Sequence, residues 1–171
     1  MENEINLKAG RISLNLHPEE FSLPADLLRL CEHTLEILDA KLEDLLGFGL
    51  TEAEVNLNII SDDDIRSINL EHRNKDKATD VLSFPLNDNP RRGEYDLFNG
   101  KLELGDILIA EGVCSQQAKE NGLTFSQEFV HLFAHGFLHL CGYDHEENAE
   151  EDKLMRDLED SIMRELEKKR A

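Results

Sequence analysis

The chain has no apolar run approaching the ~18 consecutive residues that a bilayer-spanning helix needs, so no membrane partner is expected. Its start, Met1-Glu2-Asn3-Glu4, has neither the basic n-region nor the apolar h-region of a secretory signal, and a cytoplasmic protein is the expectation. Cysteine is scarce. Cys31, Cys114 and Cys141 are odd in number and far apart, which fits reduced thiols better than a disulfide framework and agrees with the cytosol. Positive charge is also short: 18 Lys and Arg stand against 37 Asp and Glu, a formal net charge of -19. Over the whole chain that argues against a nucleic-acid partner, because phosphate binding draws on basic side chains.

The deficit is uneven. Between residues 66 and 101 seven basic residues (Arg66, Arg73, Lys75, Lys77, Arg91, Arg92, Lys101) face six acidic ones, so this segment is +1 and the remainder carries -20. A local phosphate-binding patch on an acidic body and an ordinary mixed-charge surface loop are both compatible with that count. At 171 residues one core and one domain over 1–171 are expected, with no internal repeat and no low-complexity run.

Residues 5–16 alternate Ile5, Leu7, Ala9 and then Ile12, Leu14, Leu16 with polar neighbours, the period of one half-exposed strand. From 24 to 46 the apolar positions Leu27, Leu28, Cys31, Leu35, Leu38, Leu42, Leu45 and Leu46 follow helical spacing, with Pro24 suited to a first turn and Gly47 to a stop. A second strand is expected at 54–60. Ser61 and Asp64 resemble a capping box opening a short helix toward Arg73. A third strand covers 81–84, and the Asn-, Asp- and Gly-rich stretch 87–101 reads as a long exposed loop. The fourth strand, Leu102–Ala110, leads into a helix ending near Gly122. Thr124 and Gln127 form the capping box of the next helix, which runs to about Cys141 and carries apolar residues on every face, as a helix buried at the centre of a domain does. The last helix, 148–169, should turn Leu154, Met155, Leu158, Ile162 and Leu166 inward. The expected fold is α+β: a small mixed four-stranded sheet packed with about five helices, the central buried helix carrying the metal ligands.

His135 and His139 lie one turn apart on that buried helix, the separation that lets two imidazoles share one ion. Gly142 can take the left-handed conformation that ends a helix and return His145 to the same ion. Three ligands with a fourth position open describe a catalytic zinc site, whereas structural zinc takes four protein ligands. One zinc ion, or another divalent transition metal, is therefore expected at His135, His139 and His145. Unpartnered imidazoles on an apolar helix would each cost desolvation, and a shared metal removes that cost. His131 lies on the same stripe, but His131, His135 and His139 rise about 6 Å per step, too far for all three to meet one ion. It reads as a supporting or core residue. Cys141 falls on nearly the opposite face and reads as an inert buried thiol.

His-x3-His-x2-Gly-x2-His also matches the spacing of metzincin metallopeptidases, but Gly136 stands where those enzymes carry the glutamate that serves as general base. Proteolysis is the second reading. A third is a metalloprotein whose ion is regulatory or structural, without catalysis, since Gly136 leaves no obvious base.

The run His135-Gly136-x-Leu138-His139-Leu140-x-Gly142-Tyr143-Asp144-His145 resembles the hallmark of the YbeY family of bacterial endoribonucleases. Two further segments match in order: Asn69-x3-Arg73-x-Lys75-Asp76-Lys77-x-Thr79-Asp80-Val81-Leu82-Ser83-Phe84-Pro85, and Leu104-Gly105-Asp106-Ile107. Together the resemblance covers about residues 55–150. It implies an α+β fold around a small mixed sheet, zinc at the three histidines, and single-strand-specific cleavage in ribosomal RNA maturation and ribosome quality control. It also implies a functional role for Arg73. The partners expected are ribosomal RNA and the small ribosomal subunit, with no DNA. Three departures stand out: Ala78 where proline is common, Ala110 where a small hydroxyl residue is common, and the long 87–101 loop.

The mechanism expected is metal-assisted phosphodiester hydrolysis, with Arg73 clamping the phosphate through its planar fork of N–H groups. Arg73 and the 87–101 loop are expected to face the same cleft as the metal, as a basic rim on an acidic protein.

Overall fold

The alternation of residues 5–16 slips by one position between Ala9 and Ile12, and that slip is a turn. Gly10 sits there with a positive φ of 58°, and the stretch folds into two antiparallel strands, β1 (Ile5–Ala9) and β2 (Ile12–His17), paired Ala9 to Ile12 and Ile5 to Leu16. Among the described residues the expected four strands are therefore five. The turn is clasped from outside: Asp39 Oδ1 accepts from the Arg11 backbone N–H at 3.0 Å and from its Nε at 2.9 Å, while Glu43 holds the other end of the guanidinium. A β-carbon on Gly10 would run into the Asp39 carboxylate.

The computed structural model describes residues 3–170. The remaining strands are β3 (Ala53–Ile60), β4 (Val81–Pro85) and β5 (Leu102–Ala110), in the order β1-β2-β3-β5-β4. β2, β3 and β5 run parallel, and β1 and β4 close the two edges antiparallel. A bulge in β5 shifts the register between Glu54 and Val55, and Gly105 lies there with φ 134°. Only glycine fits: a β-carbon would stand 2.2 Å from the Phe84 carbonyl oxygen of β4.

Among the described residues six helices surround the sheet, where about five were expected: α1 (Leu27–Ala40), α2 (Leu42–Leu46), α3 (Asp62–Arg73), α4 (Glu111–Glu120), α5 (Phe125–Cys141) and α6 (Ala149–Arg170). The long helix expected over 24–46 breaks at Lys41, which leaves helical geometry with φ -100°. The apolar spacing carries on through the break because Leu42, Leu45 and Leu46 are buried as α1's leucines are. Leu154, expected inward on α6, is exposed, while Met155, Ile162 and Leu166 are buried as expected.

The core lies between the sheet and α5. Phe129, Phe133 and Phe137, four residues apart on one stripe of α5, are fully buried, each worth about 1.5–3 kcal/mol of hydrophobic stabilisation. His131, His135 and His139 lie two positions further along, about 200° round the helix, so burying the phenylalanines turns the histidine stripe away from the main core. Helices α1, α4 and α6 flank α5, and α3 covers the other side of the sheet with Ile65 against Ile60, Leu82 and Ala110. Among the described residues no helix is long and apolar enough to cross a membrane.

Candidate metal centre

Thr124 caps α5 by accepting from the Gln127 N–H at 3.2 Å, and Gln127 Oε1 accepts in return from the Thr124 N–H at 2.9 Å, which fixes where the helix starts and hence which positions face the sheet. Its end is equally defined. The Gly142 N–H donates to the His139 carbonyl and the Tyr143 N–H to the Leu138 carbonyl, both at 3.0 Å, a Schellman closure around a left-handed Gly142 of φ 107°. Tyr143 then anchors the turn: its ring is buried, its hydroxyl donates to the Leu45 carbonyl, and the Arg91 guanidinium lies 4.4 Å from the ring centroid. Asp144 Oδ1 accepts from the Glu146 N–H at 2.9 Å. Between these two anchors His145 is brought back to the helix.

One ring nitrogen from each of His135, His139 and His145 lies within 4.8 Å of the others. The ring centroids are 4.7 Å apart for His135 and His139, 5.4 Å for His135 and His145, and 5.0 Å for His139 and His145. His135 Nε2 and His139 Nε2 face each other at 3.2 Å. Two nitrogens bound tetrahedrally to one zinc at about 2.0–2.1 Å would stand about 3.3 Å apart, so the pair already has the spacing a shared ion requires. The donor chemistry fits too. Burial, followed by the neighbouring His135 and His145, pushes His139 down to about 4, which keeps it an unprotonated donor at neutral pH.

Sequence reasoning missed Glu159. Its Oε1 lies 2.6 Å from His135 Nδ1 and its Oε2 lies 3.0 Å from His131 Nε2. Burial raises its pKa, but hydrogen bonds from His131 and His135 outweigh that and hold the carboxyl down at about 2; the same bond to Glu159 raises His131. One signal was available: Glu159 falls on the inward stripe of α6 between Met155 and Ile162, where an acidic residue has no place without a partner. His131 thereby supports Glu159, one of the two roles its position left open. Cys141 is fully buried with its thiol pushed up by burial, as an inert side chain should be.

The histidines open into a cleft of about 520 Å³. Arg73, Lys75, Lys77, Thr79, Asp80 and Ser83 line it on the α3–β4 side. Arg73 ends α3, donates from Nη2 to the Ser83 carbonyl at 3.2 Å, and stands 5.9 Å from the Phe84 ring centroid. The basic rim expected from the 87–101 loop is absent, because only Asp88 of that loop lines the cleft. Arg91 is drawn instead to Glu151 at 2.7 Å and to Tyr143, and Lys101 to Glu54. Of the other departures, Ala110 leaves α4 without a side-chain cap, and Asp62 of α3 replaces it by accepting from the Val113 N–H at 3.1 Å.

Gly136 has a structural reason of its own. A β-carbon there would meet Ile107 of β5 at 3.0 Å and Ser83 Oγ of β4 at 3.1 Å, so the glycine sets how closely α5 approaches the sheet. A glutamate at the place where a metzincin base would stand would have to push the Ile107 and Ser83 side chains aside. Gly136→Glu is expected to destabilise the protein by about 1–3 kcal/mol through overpacking, or roughly 2–4 °C in Tm per kcal/mol, and to create no peptidase. Calorimetry and a casein assay check both; an unchanged Tm would contradict the close packing.

The family model described as Endoribonuclease YbeY matches residues 15–167. An endoribonuclease YbeY of Aquifex aeolicus is 41% identical over 124 residues, covering 72% of this chain and 77% of the relative. One of Francisella tularensis is 38% identical over 155 residues, covering 90% and 84%. The solution structure of a Thermotoga maritima protein superposes with a TM-score of 0.52 at 28% identity, covering 88% of each chain.

Proposed function

From the premise that the chain belongs to the YbeY endoribonuclease family, we propose that it hydrolyses single-stranded RNA with one zinc, or a similar divalent ion, held by His135, His139 and His145. The observation that carries this reading is the convergence of three histidine nitrogens in a cleft that also carries Arg73, Lys75 and Lys77 along one edge, on an acidic protein. When bound, the ion supplies Lewis acidity at a phosphoryl oxygen and lowers the pKa of water toward about 7. The protein's own contribution is position and charge. His135 and His139 offer Nε2 lone pairs from a rigid helix, and His145 offers a third donor from a turn anchored on both sides. Arg73 spends one N–H on the Ser83 carbonyl and keeps the others for a phosphate, where they offset charge growing in the transition state. Lys75 and Lys77 continue the basic edge, and Asn69 Nδ2 holds that segment by donating to the Lys77 carbonyl at 3.0 Å.

The substrate we propose is ribosomal RNA, presented by the small ribosomal subunit in the cytoplasm during maturation and quality control. Charge supports a partner-assisted encounter: the acidic body repels a free RNA strand, so productive docking is confined to the cleft edge.

Single-turnover assays on unstructured and base-paired RNA, with and without chelator, test the proposal. Unstructured RNA should be cut, chelator should stop the reaction and zinc should restore it. Intact RNA with fully zinc-loaded protein would overturn the catalytic reading in favour of a non-catalytic metalloprotein. Zinc should also raise Tm, because an ion bound only by the folded state stabilises it by about 2.7 kcal/mol at 100 times its Kd, roughly 5–10 °C at this chain length. A Tm indifferent to chelator in a zinc-loaded sample would contradict this.

A further inference from the structure

We propose that Glu159 is the positioning residue of the histidine centre, fixing the His135 ring with Nδ1–H toward α6 and Nε2 toward His139 and His145, while His131 fixes the carboxylate in turn. The inference rests on reading the three histidines as a metal site. Helix α6 packs against α5, and Glu159 brings it into hydrogen-bond contact with the centre at His135. Both carboxylate oxygens are used, one for each histidine. If Glu159 only tethered α6 to α5, the bond to His131 at 3.0 Å would suffice; the shorter bond, 2.6 Å, goes to His135.

Neutral imidazole has one donor and one acceptor nitrogen, and the partner of the donor decides which nitrogen is left to coordinate. With its proton bound to Glu159, His135 has only Nε2 available, and Nε2 is the atom 3.2 Å from His139 Nε2. A carboxylate partner also raises the basicity of the ligating nitrogen. Glu159 reaches the centre through a separate opening of about 420 Å³, lined also by Asp152, Met155, Arg156 and Asp160, which shares only His135 and His145 with the cleft that Arg73 lines. A substitution at Glu159 therefore leaves the Arg73 side of the site untouched.

The test compares wild type, Glu159→Gln, Glu159→Ala and His139→Ala by zinc affinity in chelator competition, and by the imidazole tautomers of the metal-free proteins in long-range 15N–1H spectra. His135 of the wild type should be in the Nδ1–H form. Glu159→Ala should mix the two tautomers and weaken zinc by about 10–100-fold. Glu159→Gln keeps an acceptor for Nδ1–H, so it should keep the tautomer and lose less affinity, about 10-fold. A merely structural role would lower Tm and move neither readout. Unchanged zinc affinity in Glu159→Gln, together with an unchanged His135 tautomer in Glu159→Ala, would overturn the proposal; should Glu159→Ala not fold, the Glu159→Gln affinity decides alone. Wild type binding zinc no better than His139→Ala would sink the metal reading instead, and the metal-free tautomers would still decide the role of Glu159.

Discussion

His139→Ala is expected to abolish stoichiometric zinc binding and to lower RNA cleavage by at least about 10³-fold, the rate equivalent of the several kcal/mol that a metal contributes to a phosphoryl transition state. His139 is the centre of the cluster, with its ring nearest to both others. Removing it leaves His135 and His145, two donors on different segments, and a two-ligand site cannot hold zinc against solvent. The fold should survive. Alanine has the highest helix propensity, and the phenylalanine stripe that fixes α5 lies on the far side of the helix. Metal content by mass spectrometry and single-turnover cleavage check the two parts separately. Cleavage retained by His139→Ala would mean that the nuclease is not this site.

Much of the site was legible because its members are close in sequence. The i, i+4 histidines, the helix-ending Gly142 and His145 three residues later state their geometry in one short run, and the capping boxes and turn bonds realise it. The ends of β5 and α5 were equally plain, because a bulky alternating strand and a Thr124–Gln127 box mark their own limits. What was hidden depends on distant partners. Glu159 meets His135 across 24 residues, and its place on the inward stripe of α6 shows only that it needs a partner, not which one. Arg91 and Arg92 looked like part of a basic rim, but Glu151, 60 residues on, and the Tyr143 ring take Arg91 away from the cleft. Charge counting treats a segment as a unit, whereas each side chain goes to its own partner. The helix break at Lys41 and the turn at Gly10 meet at Arg11, which is gripped by Asp39 and Glu43 on either side of the break, and no periodicity within either segment reports that grip. The slip of alternation between Ala9 and Ile12 was the available clue.

The basic edge that remains consists of Arg73, Lys75 and Lys77, and its test is Arg73→Ala. This variant is expected to keep its fold and its zinc while losing about 10²–10³-fold in cleavage, the usual cost of deleting one donor aimed at a developing anion. The fold should persist because Arg73 is exposed at the end of α3, where its one hydrogen bond goes to the Ser83 carbonyl and its packing is the face of Phe84. Zinc should persist because Arg73 touches none of the three histidines. Arg73→Lys should recover only part of the loss. An ammonium restores the charge but not the planar pair of N–H groups that meets two phosphate oxygens, nor the same stacking on Phe84. Neutralising Lys75 or Lys77 should instead weaken binding with little effect on the bound rate, since a point charge further along the edge holds the strand equally before and during reaction. The pattern separates a phosphate clamp from general electrostatic attraction: raising salt should mimic the lysine variants and leave the single-turnover defect of Arg73→Ala in place. Wild-type cleavage by Arg73→Ala, or a defect that low salt fully repairs, would remove Arg73 from the reacting phosphate.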